Sequence, residues 1–290
     1  MATLRDIRRR ITSVTGTQQI TSAMKMVSAA KLNRAQQAAL AAQPYAMGLR
    51  NMVTTISRGL TAEDHPLLGE NPEGKTALLL YTSDRGLCGG FNSNLLKFVV
   101  RSLTKQGHVD PELIIVGRVG NDYFRRRAYL VTRSVVQLTL TEKQARIREA
   151  IDELVQRYIT GDVGRVLVAY NRFFNPMRQD PTLMQLLPVV APEPGAPGTE
   201  DAAQDERESL FEPSRVEILS SLLPRYVENQ CTLAMLNTEA GEHGARMVAM
   251  ESATKNAGEM ISRLTLQYNR VRQAAITKEL IEVINGAQSL

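Results

Sequence analysis

LSSLLPRYVENQCTLAMLNTEAGEHGARMVAMESATKNAGEMISRLTLQYNRVRQAAITK, residues 219–278, reads as one long helix with a heptad seam. Counting in sevens from Leu219 and again from Leu222 puts apolar side chains at fourteen of eighteen seam positions. The repeat lasts well beyond the three or four heptads that define a coiled coil. A helix over residues 225–284 would be roughly 90 Å long at ~1.5 Å per residue, longer than an ordinary domain, so it is expected to protrude. Gly241, Gly244 and Gly258 are expected to weaken it. The polar seam members Asn229, His243, Thr254 and Lys278 suit a helix pair whose outer faces also touch something else.

A second helical pattern lies at the other end of the chain. Leu4, Ile7, Ile11 and Val14 share one helical face; the register lapses at Gln18 and Thr21 and is expected to resume as Ile20, Met24 and Val27. Beyond Lys31 the segment is rich in alanine, which favours helix and lets another helix approach closely. Pro44 is expected to kink or divide the helix, and the pattern fades near Gly59. Residues 1–60 hold nine basic side chains against the single acid Asp6, a net +8, so the rest of the chain carries −3 of the total +5. A basic helical arm attracts something acidic: nucleic acid, anionic lipid or an acidic protein surface.

Between the arms the period changes. Thr76–Thr82, Leu113–Val116 and Arg165–Tyr170 read as short buried strands, with helices at about Asn92–Gln106, Arg118–Arg127 and Thr141–Tyr158. Alternating strands and helices predict a small α/β domain with a partly parallel sheet. The fold class is therefore mixed: long N- and C-terminal helices plus a central, Rossmann-like α/β domain. The expected boundaries are an N-terminal helix over 1–60, an α/β domain over 75–190, an acidic linker over 191–208 and a C-terminal helix over 209–290. The proline-rich stretch 191–217 carries eight acids and two bases and is expected to be exposed.

Composition narrows the function. Aromatic residues make up 5 % of the 290 and Trp is absent, which fits long helices with Ala, Leu and Met seams better than a large globular core. No run of eighteen apolar residues exists, and the opening MATLRDIRRR lacks the apolar stretch of a signal peptide. Cys88 and Cys231 are too far apart for a metal knuckle, and three scattered histidines suggest no metal site. The loop Ser83–Asn92 follows a strand and opens a helix, where phosphates often bind, but its glycine spacing is neither GxxxxGK[ST] nor GxGxxG. Gly86-Leu87-Cys88-Gly89-Gly90 fits a nucleophile elbow with Cys in place of Ser, yet only His108 and His243 follow it. A Cys88-dependent hydrolase and a nucleic-acid-binding coiled-coil protein are the two competing readings. The basic arm lacks the interleaved aromatics that would favour the second.

Four blocks carry a resemblance. Ile20–Val27 through Lys31, the loop Ser83–Asn92, Arg246–Ala257 and Tyr268–Leu280 all resemble the gamma subunit of F-type ATP synthases, in order and across the whole chain. The resemblance implies a rotary shaft: a long antiparallel coiled coil of the N- and C-terminal helices turning inside the hexamer of alpha and beta subunits, with the α/β domain as a foot on the epsilon subunit and the membrane c-ring. It implies no catalytic residue, cofactor, metal, nucleic acid or small-molecule substrate of its own, since nucleotide chemistry lies on beta. It also implies a peripheral membrane protein on the cytoplasmic face of the bacterial inner membrane, coupling proton flow to ATP synthesis. Carried over by position, Arg272 and Gln273 match a catch that hydrogen-bonds beta, with Thr277 and Glu279 nearby. Arg246 and Met24 match positions where the shaft meets beta, and Cys88 matches the rim that passes an acidic beta loop. The regulatory cysteine pair of chloroplast relatives is missing, and the acidic 191–208 stretch fits no part of the family pattern.

Overall fold

The computed structural model describes residues 3–57, 60, 63–105, 111–127, 129–189 and 214–288. The linker expected over 191–208 and His108 lie outside the described residues. The elements, in order, are α1 (Leu4–Ile56), β1 (Lys75–Tyr81), α2 (Phe91–Lys105), β2 (Glu112–Val116), α3 (Arg118–Arg125), β3 (Val131–Val135), α4 (Leu140–Ile159), β4 (Val163–Asn175), β5 (Arg178–Leu187) and α5 (Arg215–Gln288). They fall into two compact units, residues 1–29 with 246–290, and residues 30–245.

The larger unit is built on one five-stranded sheet ordered β3-β2-β1-β4-β5. β1 pairs in parallel with β2 and β4, β2 with β3, and only β5 runs antiparallel to its neighbour. Alternation along β1 sends its side chains to two cores. Leu78 and Leu80 face α2 and α3, packing with Leu95, Val99 and Phe124. Ala77, Leu79 and Tyr81 face the other layer, where Ile151 and Leu154 of α4 meet Leu219, Leu223, Val227 and Cys231 of α5 and Val53 of α1. A nearly continuous apolar run is what a parallel strand covered by helices on both faces requires.

Both long helices carry a proline. Pro44 lies inside α1, which continues past it, and Pro224 lies inside α5, which begins at Arg215. In the larger unit, α5 buries Leu219, Leu223, Val227, Cys231, Ala234 and Met235, a stripe at helical period rather than the heptad register. Gly241 is also more than a weak point. A Cβ there would come within 2.8 Å of the Phe91 ring, so only glycine lets α5 lie this close to the start of α2.

The smaller unit is an antiparallel helix pair. Lys25 meets Glu251, the Thr254 hydroxyl donates to Thr21 Oγ1 at 2.8 Å, and Gly258 sits beside Gln18. Each step of three or four residues back along α1 matches a similar step forward along α5. Thr254, Ala257, Ile261, Leu264, Tyr268, Val271 and Ala275 are buried or half-buried between mostly exposed neighbours, as the heptad count requires. The α1 side of the seam differs from expectation. Thr21 and Ser28 are buried in phase with Ile7 and Val14, so the register never lapses, while Ile20 and Val27 point outward at 63 % and 56 % exposure. Polar seam residues close the pair here, and apolar ones are left for the outside.

Candidate partner interface

The helix pair opens on a cap. Thr3 N–H and hydroxyl both donate to Asp6 Oδ2, at 3.1 and 2.7 Å, and Asp6 N–H returns a bond to Thr3 Oγ1. This reciprocal box satisfies first-turn donors and sets a carboxylate at the positive helix end. Those hydrogen bonds from Thr3 hold the Asp6 carboxyl below its ordinary value. The next turn presents Arg5, Arg8, Arg9 and Arg10, all exposed, while Ile7 is buried at 1 % exposure. The basic arm is thus a solvent-facing surface backed by one apolar anchor.

The antiparallel register brings the first residues of α1 level with the region of Arg272, so α5 outruns its partner from there on. Arg272, Gln273, Thr277 and Glu279 are all exposed on this overhang. With them stand Ile276, Leu280, Ile281, Val283 and Ile284, between 49 % and 69 % exposed. Five large apolar side chains exposed along one helix end mark a candidate place for another surface to fit. Heptad counting stopped at Lys278 and missed this stripe, although its i, i+4 spacing (Ile276, Leu280, Ile284) is present in the sequence. Farther down the pair, Met24 is half-buried and Arg246 is buried at 7 % exposure.

The loop after β1 lies at the carboxyl end of the central strand, the usual ligand crevice of a doubly wound sheet. Here its interior is closed by its own side chains. Ser83 N–H donates to Asn92 Oδ1 at 3.1 Å, and Asn92 Nδ2 donates to Ser83 Oγ at 2.7 Å and Cys88 Sγ at 3.2 Å. Cys88 is 2 % exposed. The left-handed residues are Leu87 (φ 63°) and Gly89 (φ 58°), on either side of it, and Leu87 is 64 % exposed. A nucleophile elbow would present the sulfur outward on a strained residue; this loop turns it inward and presents Arg85, Gly86 and Leu87 instead. Two surface cavities of about 380 and 460 Å³ in the larger unit include neither Cys88 nor a histidine in their linings.

Asp84 fastens this loop to the rest of the unit. Its Oδ1 accepts the backbone N–H groups of Arg118 and Gln137, each at 3.1 Å, and its Oδ2 lies 2.9 Å from Lys143 Nζ. Lys143 is also 3.5 Å from Glu239, whose other oxygen lies 3.5 Å from His243 Nε2. Burial works against the charge on all three ion-pair members. Hydrogen bonds from Lys143 and from the Gln137 and Arg118 amides still hold Asp84 below its ordinary value, and His243 and Lys143 do the same for Glu239. The Asp84 hydrogen bond and the nearby Glu239 and Glu242 charges raise Lys143. Sequence reading missed this cluster, because its members are scattered along the chain.

Two kinds of unit define a class: an antiparallel helix pair and a doubly wound α/β unit, with no assembled reaction centre among the described residues. A family model described as ATP synthase matches residues 3–290. The ATP synthase gamma chain of Pelotomaculum thermopropionicum is 43 % identical over 290 residues, covering 100 % of both chains. That of Geotalea daltonii is 45 % identical over 295 residues, covering 100 % of this chain and 99 % of its own. A chain of the Euglena gracilis mitochondrial ATP synthase shares the fold, with a TM-score of 0.63 at 19 % identity over 99 % of this chain and 94 % of that one. The chain belongs to the ATP synthase gamma chain family and is a central-stalk, non-catalytic subunit of that enzyme complex.

Proposed function

We propose that the chain turns inside a hexamer of alpha and beta subunits, driven through a foot that engages an epsilon subunit and a membrane c-ring. Proton flow turns the ring and the shaft with it, and the uneven surface of the shaft takes each beta subunit through its binding states. The observation that carries this reading is the α5 overhang, where exposed apolar residues and Arg272 share a helix end that α1 does not cover. An apolar sleeve accepts such an end and still lets it turn, because apolar contact is non-directional. Arg272 supplies the directional part. Its guanidinium offers five donors in a planar fork suited to a carboxylate at one angle of rotation, with Gln273, Thr277 and Glu279 beside it.

The exposed arginines of the first turns suit acidic loops on beta. Met24 and Arg246 are assigned to the contact with beta lower on the shaft. At the rim, the exposed Arg85–Leu87 corner meets the passing acidic loop, and Cys88 supports that corner from inside. The chain acts at the cytoplasmic face of a bacterial energy-coupling membrane, held there through its partners. No described helix is long and apolar enough to cross a membrane.

Native mass spectrometry of the protein purified from its own cells tests the assembly. One copy per alpha–beta hexamer, with epsilon attached, is the expected mass; the chain found alone in gently prepared extracts would contradict it.

A further inference from the structure

Lys143 occupies the first turn of α4, beside the Thr139–Glu142 capping box, at the positive end of the helix dipole. A cation is unfavourable there, and this one is also 8 % exposed. An apolar side chain would fill the same space at less cost, since buried ion pairs are often neutral or worse for stability. What the charge adds is direction. Lys143 joins Asp84 at 2.9 Å and Glu239 at 3.5 Å, with Glu242 also acting on it. Asp84 in turn holds the first backbone N–H of α3 and the turn before α4. One buried ammonium therefore ties the β1 loop, α3, the β3–α4 turn and α4 to helix α5.

The rest of the α5 contact is mainly Leu219, Leu223, Val227, Cys231 and Met235 against apolar neighbours, with a hydrogen bond from the Tyr81 hydroxyl to the Cys231 carbonyl at 3.0 Å, one from Phe173 N–H to Asn237 Oδ1 at 3.1 Å, and the more exposed Arg148–Glu228 ion pair. Turning α5 about its axis by one residue, roughly 100°, in one direction brings Ile218, Leu222 and Tyr226 to that stripe, so apolar burial alone opposes this turn least. The same turn would swing Glu239 away from Lys143 and separate two opposite buried charges, leaving Lys143 with Asp84 and Glu239 with His243. We infer that Lys143 is a positioning residue that pins α5 against turning or sliding on the α/β sheet, so that torque applied to the sheet passes into the helix. The inference rests on the rotor reading of the chain.

The test uses the complete ATP synthase in sealed vesicles beside its detached soluble part, with Lys143→Met, Lys143→Arg and the neutral triple variant D84N/K143M/E239Q. In Lys143→Met the ratio of ATP-driven proton uptake to ATP hydrolysis falls about threefold, the scale of a mutation on a coupling path, while hydrolysis by the soluble part changes little. Lys143→Arg recovers most of the ratio. The triple variant leaves no buried ammonium or unpaired carboxylate, so it melts close to the parent and still couples poorly. An unchanged ratio in both Met-containing variants overturns the inference. So does a triple variant that recovers coupling and melting temperature together, which makes the cluster structural only. Full hydrolysis and pumping by an assembly lacking the whole chain would overturn the stalk reading itself.

Discussion

The two units of this chain solve the same problem with opposite materials. Residues 30–245 bury large aliphatics on both sides of a sheet, with Leu78, Leu80, Leu219, Leu223 and Val227 all at 0 % exposure. The helix pair closes on small and polar residues, Thr21, Ser28 and Ala257 among them, and leaves Ile20, Leu266 and Val283 outside at 63 %, 72 % and 69 %. A core of the first kind is complete in itself. A seam of the second kind buries little apolar area between two helices and leaves more of it exposed. The comparison teaches that heptad periodicity reports where helices touch, while the size of the seam residues reports whether that contact is the final one.

The largest expected effect sets the units apart. Leu223→Ala removes a fully buried side chain from the sheet's helical layer and should cost about 2–5 kcal/mol in denaturant unfolding. Leu266→Ala should stay within about 0.5 kcal/mol, since that side chain already lies in solvent. Equal losses at the two sites would break the comparison. The Leu266 variant should show its defect only in assembly with the alpha and beta subunits.

Next comes Arg272→Ala, expected to lower ATP-driven proton pumping several-fold with the melting temperature unchanged. Arg272→Lys should recover only part, because the charge remains but the fork is lost. Normal pumping in the Ala variant removes Arg272 from the catch, and a large drop in melting temperature makes it structural.

A pH titration sharpens the account of the α/β unit. Asp84 and Glu239 titrate below their ordinary 3.8 and 4.5, so their contribution is complete above those values and is lost as pH falls through the lowered ones. Lys143 titrates above its ordinary 10.5, so its contribution is complete below that and lost as pH rises through the raised value. Melting temperature should therefore hold a plateau between these limits. D84N/K143M/E239Q should soften the decline at both ends, and an unaltered profile would remove the cluster from the balance. The smallest effect belongs to Cys88→Ser. The serine oxygen can accept the Asn92 bond that the sulfur accepts now, so turnover should be largely intact and stability should fall by less than about 1 kcal/mol. Lost turnover with intact assembly would reopen cysteine chemistry.

Much of the fold was legible because its interior strands are buried on both faces. TALLLY, LIIV and RVLVAY stand out as apolar runs, whereas the edge strands VTRSV and RQDPTLMQLL do not. β3 pairs only with β2 and β5 only with β4, so each can carry charge, and β5 even Pro181, without losing a central ladder. The α1 seam was misphased because its polar members are the buried ones, an inversion that apolar periodicity alone reads backwards. At the candidate interface, the family resemblance pointed to the Arg272 region, but its exposure beyond α1 comes only from the antiparallel register. The Asp84–Lys143–Glu239 cluster has no local signature at all, since it forms only when the sheet brings its members together.

The most direct test of the central claim is to watch the chain turn. Both native cysteines are buried, so Lys105→Cys, at the exposed end of α2, offers an accessible thiol for a bead. With the alpha–beta hexamer fixed to a surface and ATP supplied, the account predicts sustained rotation in one direction at a rate set by hydrolysis. Full hydrolysis beneath a bead that only fluctuates about one angle would contradict it.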